Sequence, residues 1–238
     1  MNEKIQLGEI SIAVTRKDIK NVHLTVHPPD GRVTLVAPYN TRLEVARAYA
    51  ISKLVWIREQ QRKLGCQARE TPRQFVERES HYVWGRRYLM TVDYRDVKPT
   101  VVLSNKRIML IVRPGSSIEK RSEVLHEWHK SLLHEVVPSL VQKWEQKLKV
   151  SVSGYFLQRM KTKWGSCNHS VGNIRLNTEL VKKPKDLLEY VIVHEMAHLI
   201  EPTHSDRFIA ILEEHYPGWR EARAELNELP LAAEVWTE

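Results

Sequence analysis

Five residues, His194-Glu195-Met196-Ala197-His198, constrain this chain more than any other stretch of it, because they set two imidazoles and a carboxylate inside the apolar run from Leu187 to Ile200. Residues four apart on a helix lie one above the other on the same face, with Cβ atoms about 5–6 Å apart. Two imidazoles in that relation converge on one ion. A third ligand and a water complete a tetrahedral zinc site with Zn–N distances of about 2.0–2.1 Å, and the glutamate beside the first histidine faces the water as general base. The segment therefore predicts a helix, a metal and a hydrolytic chemistry together.

How much weight it bears depends on chance. With 11 His and 23 Glu in 238 residues, random placement yields the pattern in roughly one such chain in twenty, so the surroundings decide. Neither His126-Glu127 nor His134-Glu135 has a histidine four places on, and the latter runs into Val136, Val137 and Pro138. Only the third His-Glu does, within an apolar run where two unpaired imidazoles would be costly to bury. Along the helix expected from Ile118 to about Leu148, His126, His129 and His134 are spaced by three and five. With Trp128, Leu132, Leu133, Val136, Val137 and Leu140 around them, they read as parts of a packing element.

At 42% hydrophobic the chain can bury a sizeable core, in one domain or two. No stretch reaches the roughly 18 uncharged apolar residues of a membrane span, and Glu3, Lys4 and Glu9 stand where a signal peptide would be apolar. A cytoplasmic location without membrane association is expected, and Cys66 and Cys167, few and far apart, fit reduced thiols. The formal charge of +8 is uneven: residues 1–115 carry 21 Lys and Arg against 11 Asp and Glu, whereas residues 186–238 carry 3 basic and 12 acidic side chains. Nucleic acid is thus a candidate partner of the basic front half, although a solubilising surface accounts for the same charges.

Alternating β-branched residues over Ile5–Val14, Val22–Val26 and Val33–Val36 predict strands, the last two as a hairpin around Pro28-Pro29-Asp30-Gly31. Thr41 then caps a helix with Leu43, Ala46, Ala50, Leu54 and Ile57 on its apolar face, ending near Leu64-Gly65, and residues 66–74 form a polar linker. Two further hairpins follow, Tyr82–Val92 turning at Gly85 and Val101–Val112 turning at Ser104–Arg107. Past Pro114-Gly115 comes the long helix, which Pro138 kinks or interrupts. Tyr155–Met160 is strand-like, Lys161–Asn168 turn-rich, and Asn173–Asn177 a strand with one wet face. Pro184 opens the motif helix and Pro202 closes it, Ser205 caps a short helix, and a last one runs from Trp219 to Leu229. The expected architecture is α+β. A β-rich, basic region with one helix spans 1–115, and a domain over 116–238 sets a small sheet against the motif helix.

Four positions compete for the third ligand: Glu201, His204, Glu213 or Glu214, and His215. Glu201 lies near the ligand face but points past the ion. His204 follows Pro202, where the chain has turned and swings an imidazole back, and it leads; a glutamate on the next helix is the alternative geometry. For stabilising a developing oxyanion, Tyr216 and Arg175 are the candidates.

Lys163-Trp164-Gly165-Ser166-Cys167, Ile174-Arg175-Leu176-Asn177, Tyr190-Val191-Ile192-Val193-His194-Glu195-Met196-Ala197-His198 and His204-Ser205-x-x-Phe208 closely resemble the YgjP-like metallopeptidase family, related to the SprT-like zincins. The resemblance implies a zincin-like α+β catalytic domain, Zn2+ on His194, His198 and His204, and Glu195 as the catalytic residue. It also implies a protein or peptide substrate, and a Trp-Gly-Ser signature near the active-site sheet. Zincins in general align an extended peptide along an edge strand; Asn173–Asn177 is the candidate here, with Asn173, Arg175, Asn177 and Tyr216 as substrate-binding candidates. Trp164 and Cys167 read as packing and turn residues.

Overall fold

The computed structural model describes residues 3–27, 31–66, 73–160 and 163–228. Among them the chain is α+β, with six α-helices and three small sheets in two compact units that part between residues 66 and 73.

In the first unit β1 (Glu3–Leu7), β2 (Ile10–Lys17), β3 (His23–His27) and β4 (Arg32–Pro38) form a sheet ordered β1-β2-β4-β3. The strand expected over Ile5–Val14 is in fact two, because Gly8 turns at φ +61° and lets Leu7 pair with Ile10. Glycine meets such a two-residue turn without steric cost. β3 and β4 make the expected hairpin, whose residues 28–30 lie outside the described part, and β2 runs parallel to β4. Ile12, Val14, Val33 and Leu35 alternate onto one face and share a core with Ala46 and Ala50 of α1 (Leu43–Ser52) and Ile57 of α2 (Leu54–Cys66). The single helix expected here is two, parted at Lys53. Arg42 stands at the cap in place of Thr41, whose carbonyl accepts from Arg16. Most of the polar linker over 66–74 lies outside the described residues.

The second unit opens with β5 (Ser80–Val83), β6 (Arg86–Tyr94), β7 (Thr100–Leu103) and β8 (Arg107–Val112), ordered β5-β6-β8-β7, with both predicted hairpins present. Helix α3 (Ile118–Leu148) starts where Ser117 accepts from Lys120 N at 3.3 Å, and it runs on through Pro138. Its Leu125 packs with Met90, Ile108 and Leu110 of the sheet, while Leu133, Val137, Val141, Trp144 and Leu148 belong to the core of the motif helix. Pro114-Gly115, where composition changes, therefore lies between elements that share a core.

The third sheet carries β9 (Gly154–Gln158), β10 (Gly165–Asn168) and β11 (Asn173–Asn177) in the order β10-β11-β9. Two expectations change. Residues 165–168, expected as turn, are a strand antiparallel to β11. And β11, expected as the edge that aligns a peptide, is the central strand, with β9 parallel on its other side. Asn173 and Arg175 thus pair with strands on both sides, and Asn177 pairs with Gln158 and donates from its backbone N to Trp164 O.

A 3-10 turn over Thr178–Lys182 leads to Pro184 and α4 (Lys185–Ala197), whose Leu187, Leu188, Val191, Ile192, Val193 and Met196 are all buried. The helix ends at His198, which caps it at φ −67°, ψ −13°, four residues ahead of the Pro202 expected to close it. Since those angles are still helical, the one-turn relation of His194 to His198 survives. Ser205 caps α5 (Asp206–His215) by accepting from Phe208 N, as expected, and α6 (Trp219–Glu228) follows. Among the described residues no helix is long and apolar enough to cross a membrane.

Candidate active site

Helix α4 brings His194 and His198 to one face, and the loop after it returns His204 beside them, so that one ligand atom from each of the three lies within 4.8 Å of the others. His204 Nε2 stands 3.1 Å from His194 Nε2. Two nitrogens on a tetrahedral ion with arms of about 2.0–2.1 Å stand about 3.3–3.4 Å apart, so the spacing fits a shared ion. His198 Nδ1 is 3.1 Å from the Glu201 carbonyl, to which only a protonated Nδ1 can donate; that leaves its Nε2 as the free lone pair. His194 Nδ1 is buried with no hydrogen-bond partner among the described residues. Burial, reinforced by His198 and His204, pushes the His194 imidazole down to about 3, and burial also lowers His198, so both rings are neutral at pH 7, the form a metal donor needs.

Phe208 is the floor of this group. It is 2% exposed, stacks on His198 at 4.5 Å between centroids, and meets His194 and His204 edge-on at 5.0 and 4.8 Å. The three imidazoles are thus fixed by one ring as well as by their backbones.

Glu195 turns away from them toward β10 and is 6% exposed. A Cβ built on Gly165 would lie 2.6 Å from its Oε1 and 2.7 Å from its Cγ, closer than real Cβ atoms approach anything. Residue 165 is glycine because the carboxylate occupies the place of its side chain. Burial pushes the Glu195 carboxyl up to about 8, against the pull of the Lys163 ammonium. A cavity of about 610 Å³ opens over these groups. Its lining includes Lys163, Trp164, Gly165, Ser166 and Cys167, at and just ahead of β10, and Arg223, Leu226 and Asn227 of α6.

The model of the YgjP-like metallopeptidase domain matches residues 20–229. The chain belongs to the YgjP-like family. As a YgjP-like metallopeptidase it takes a divalent metal, and the His194, His198 and His204 donors fit one. No curated protein matches the chain. Among solved structures it is similar to the metallopeptidase zymogen of Pyrococcus abyssi abylysin, at 22% identity and TM-score 0.36 over 38% of this chain and 91% of that one. It is also similar to the metallopeptidase zymogen of Methanocaldococcus jannaschii jannalysin, at 23% identity and TM-score 0.34 over 38% of this chain and 92% of that one.

In this YgjP-like chain the other residues singled out from sequence sit elsewhere. Asn177, 0% exposed, donates to the carbonyls of Met160 and Lys163 at 2.8 Å each and accepts from Glu179 N, so it ties down the loop ahead of β10. Arg175 is exposed, Asn173 lies against Gly154, and neither lines the cavity. Tyr216 donates to the Asp186 carbonyl at the start of α4 and packs against Trp144 and Tyr190, also off the cavity lining. Glu201 bonds Thr203 through its side chain and holds His198 through its carbonyl; Glu213 turns to Arg220 and Glu214 to His215. Cys167 lines the cavity, but burial and then Glu195 push its thiol up to about 11, which keeps it protonated. Phe208 and Arg223 were not expected in the site, and Gly165 only as part of a Trp-Gly-Ser signature near its sheet; Gly165 and Phe208 stand in the family's motifs, whereas nothing around Arg223 distinguishes it from an ordinary surface arginine.

Proposed function

We propose that the chain is a zinc-dependent metallopeptidase, zincin-like in its catalytic part over residues 116–238, that cleaves peptide bonds with Glu195 as general base. What carries the reading is the convergence of His194, His198 and His204 next to the buried carboxyl of Glu195, which makes no hydrogen bond among the described residues. Three imidazoles are a donor set suited to zinc, with a fourth position left for water.

When bound, the ion lowers the pKa of a water from about 15.7 towards 7 and polarises a carbonyl oxygen. A cation on the neighbouring histidines would favour the ionised form of the Glu195 carboxyl, which burial raises to about 8; as the carboxylate, Glu195 takes a proton from the attacking water as the water oxygen bonds to the scissile carbon. It returns that proton to the leaving nitrogen as the C–N bond breaks. Gly165 holds the carboxylate in place by direct contact. β10, the outer strand on the cavity side, offers the free backbone edge along which an extended peptide aligns, the role expected of β11.

The test is a comparison of wild type with Glu195→Gln and His204→Ala. Zinc-loaded wild type should cleave unfolded protein substrates and hold about one zinc per chain. Glu195→Gln should keep the zinc and lose the cleavage, while His204→Ala should lose both. Cleavage that persists in Glu195→Gln would sink the mechanism.

A further inference from the structure

Two cations line the cavity, Lys163 just ahead of β10 and Arg223 on α6. Lys163 acts on the buried Glu195 carboxyl, whereas Arg223 has no carboxylate or hydrogen-bond acceptor for its charged head among the described residues. The absence is selective at Arg223. Residues 186–238 carry twelve acids and three arginines. Arg220, three residues away, is paired with Glu213, and Arg207 lies close enough to Glu201 to lower its carboxyl. An unpaired guanidinium in so acidic a segment is held off its neighbours by its place on the helix. Trp219, Ala222 and Leu226 form the buried face of α6, and that turns Arg223 and, one turn on, Asn227 along the flank that borders the cavity.

β10, where an extended peptide would lie, lines the same cavity, whose one acid among the described residues is Glu195, set against Gly165. A substrate side chain entering here meets both an ammonium and a guanidinium. Arginine presents two parallel N–H donors that match a carboxylate, which a neutral or cationic side chain cannot use.

We infer that Arg223 and Lys163 select substrates carrying a carboxylate beside the scissile bond, so that this site prefers acidic segments of its peptide substrates. The inference rests on the peptidase reading above. It names a chemistry with two sources, an internal Asp or Glu side chain or the free C-terminus of the chain being cut.

Four peptides matched except for one residue, Glu, Gln or Lys with an amidated C-terminus and Gln with a free one, separate these sources when incubated with zinc-loaded protein and mapped by mass spectrometry. For the source that applies, kcat/KM should exceed that of the amidated Gln peptide by about tenfold, the worth of one charge-assisted contact, with cuts within two residues of the carboxylate. In Arg223→Gln that ratio should fall toward one, Arg223→Lys should retain part of it, and Arg223→Glu should favour the Lys peptide. Binding of the same peptides, fluorescently labelled, to the zinc-loaded Glu195→Gln variant should show the same order without turnover. A wild-type ratio at or below one in cleavage and binding, or a ratio preserved in the Arg223→Gln, Lys163→Gln double variant, overturns the inference. Failure of the wild type to cut any peptide removes the peptidase reading instead, and the binding order still reports on the carboxylate preference.

Discussion

Glu195 and Gly165 are thirty residues apart in sequence and in contact in space, and that contact is the tightest constraint in the site. Gly165 does not stand among the residues with positive φ, so its small size alone is what the fold uses. Replacing it with alanine puts a methyl group 2.6 Å from Glu195 Oε1, and the carboxylate must move by roughly the ångström that costs about 10²-fold in rate. Gly165→Ala should therefore lose about two orders of magnitude in kcat/KM with zinc content kept; near-normal turnover would show that the base is not positioned by this contact. Phe208 makes the complementary case, since it packs on His194, His198 and His204 and not on Glu195. Phe208→Ala removes a fully buried ring, at a cost of about 3–5 kcal/mol, and should weaken zinc binding as well as lower the urea midpoint. The histidine pair was legible in sequence because its geometry is local, one helical turn. The steric role of Gly165 was not, since no periodicity encodes a neighbour thirty residues on, and Arg223 looked like any solvated helix charge.

Between elements, the same division holds between what is local and what is not. Alternation marked β11 as a strand, but alternation cannot say which strands flank it, and β11 lies at the centre of its sheet. β10 escaped notice because Gly-Ser-Cys-Asn has little intrinsic preference for extended structure; pairing with β11 makes it a strand. A longer-range link fixes the start of α4. The β5–β6 hairpin turns through Trp84 and Gly85, both at positive φ, and its tip donates from Trp84 N to Val181 O at 2.7 Å and from Gly85 N to Lys182 O at 3.3 Å. Gly85 sits so close to Pro184 that a Cβ would come within 2.9 Å of the ring. Gly85→Ala should cost about 1–3 kcal/mol, from the left-handed backbone and from the displaced proline together. Chemical denaturation reads this as a lower midpoint at unchanged m-value, and an unaltered midpoint would mean the hairpin tip does not brace the helix.

At the scale of the second unit, α3 joins two cores and carries histidines that bear on stability rather than on metal. His129 is 5% exposed and held well below the usual imidazole range by burial and then by Lys182, His81, His126 and Arg159. His126 is pushed down to about 4 by burial and by Arg159, which donates to its Nδ1 at 3.1 Å; Glu127 and Glu179 oppose this only in part. Both are therefore neutral in the folded chain across the range in which an unfolded chain protonates them, at about pH 6.5. Above that pH neither state binds the protons and the stability is fully present. Below it the unfolded state takes up protons that the folded state refuses, so stability falls as pH drops from about 6.5 toward 4, by up to about 1.4 kcal/mol per pH unit for each proton. Urea titrations between pH 7.5 and 5 should show that slope, and His129→Phe, which keeps the volume and removes the site, should reduce it by about one proton. The measurement is best made on protein without zinc, so that protonation of His194, His198 and His204 does not enter through metal release. A slope in His129→Phe equal to that of wild type would mean that His129 keeps its proton inside the fold.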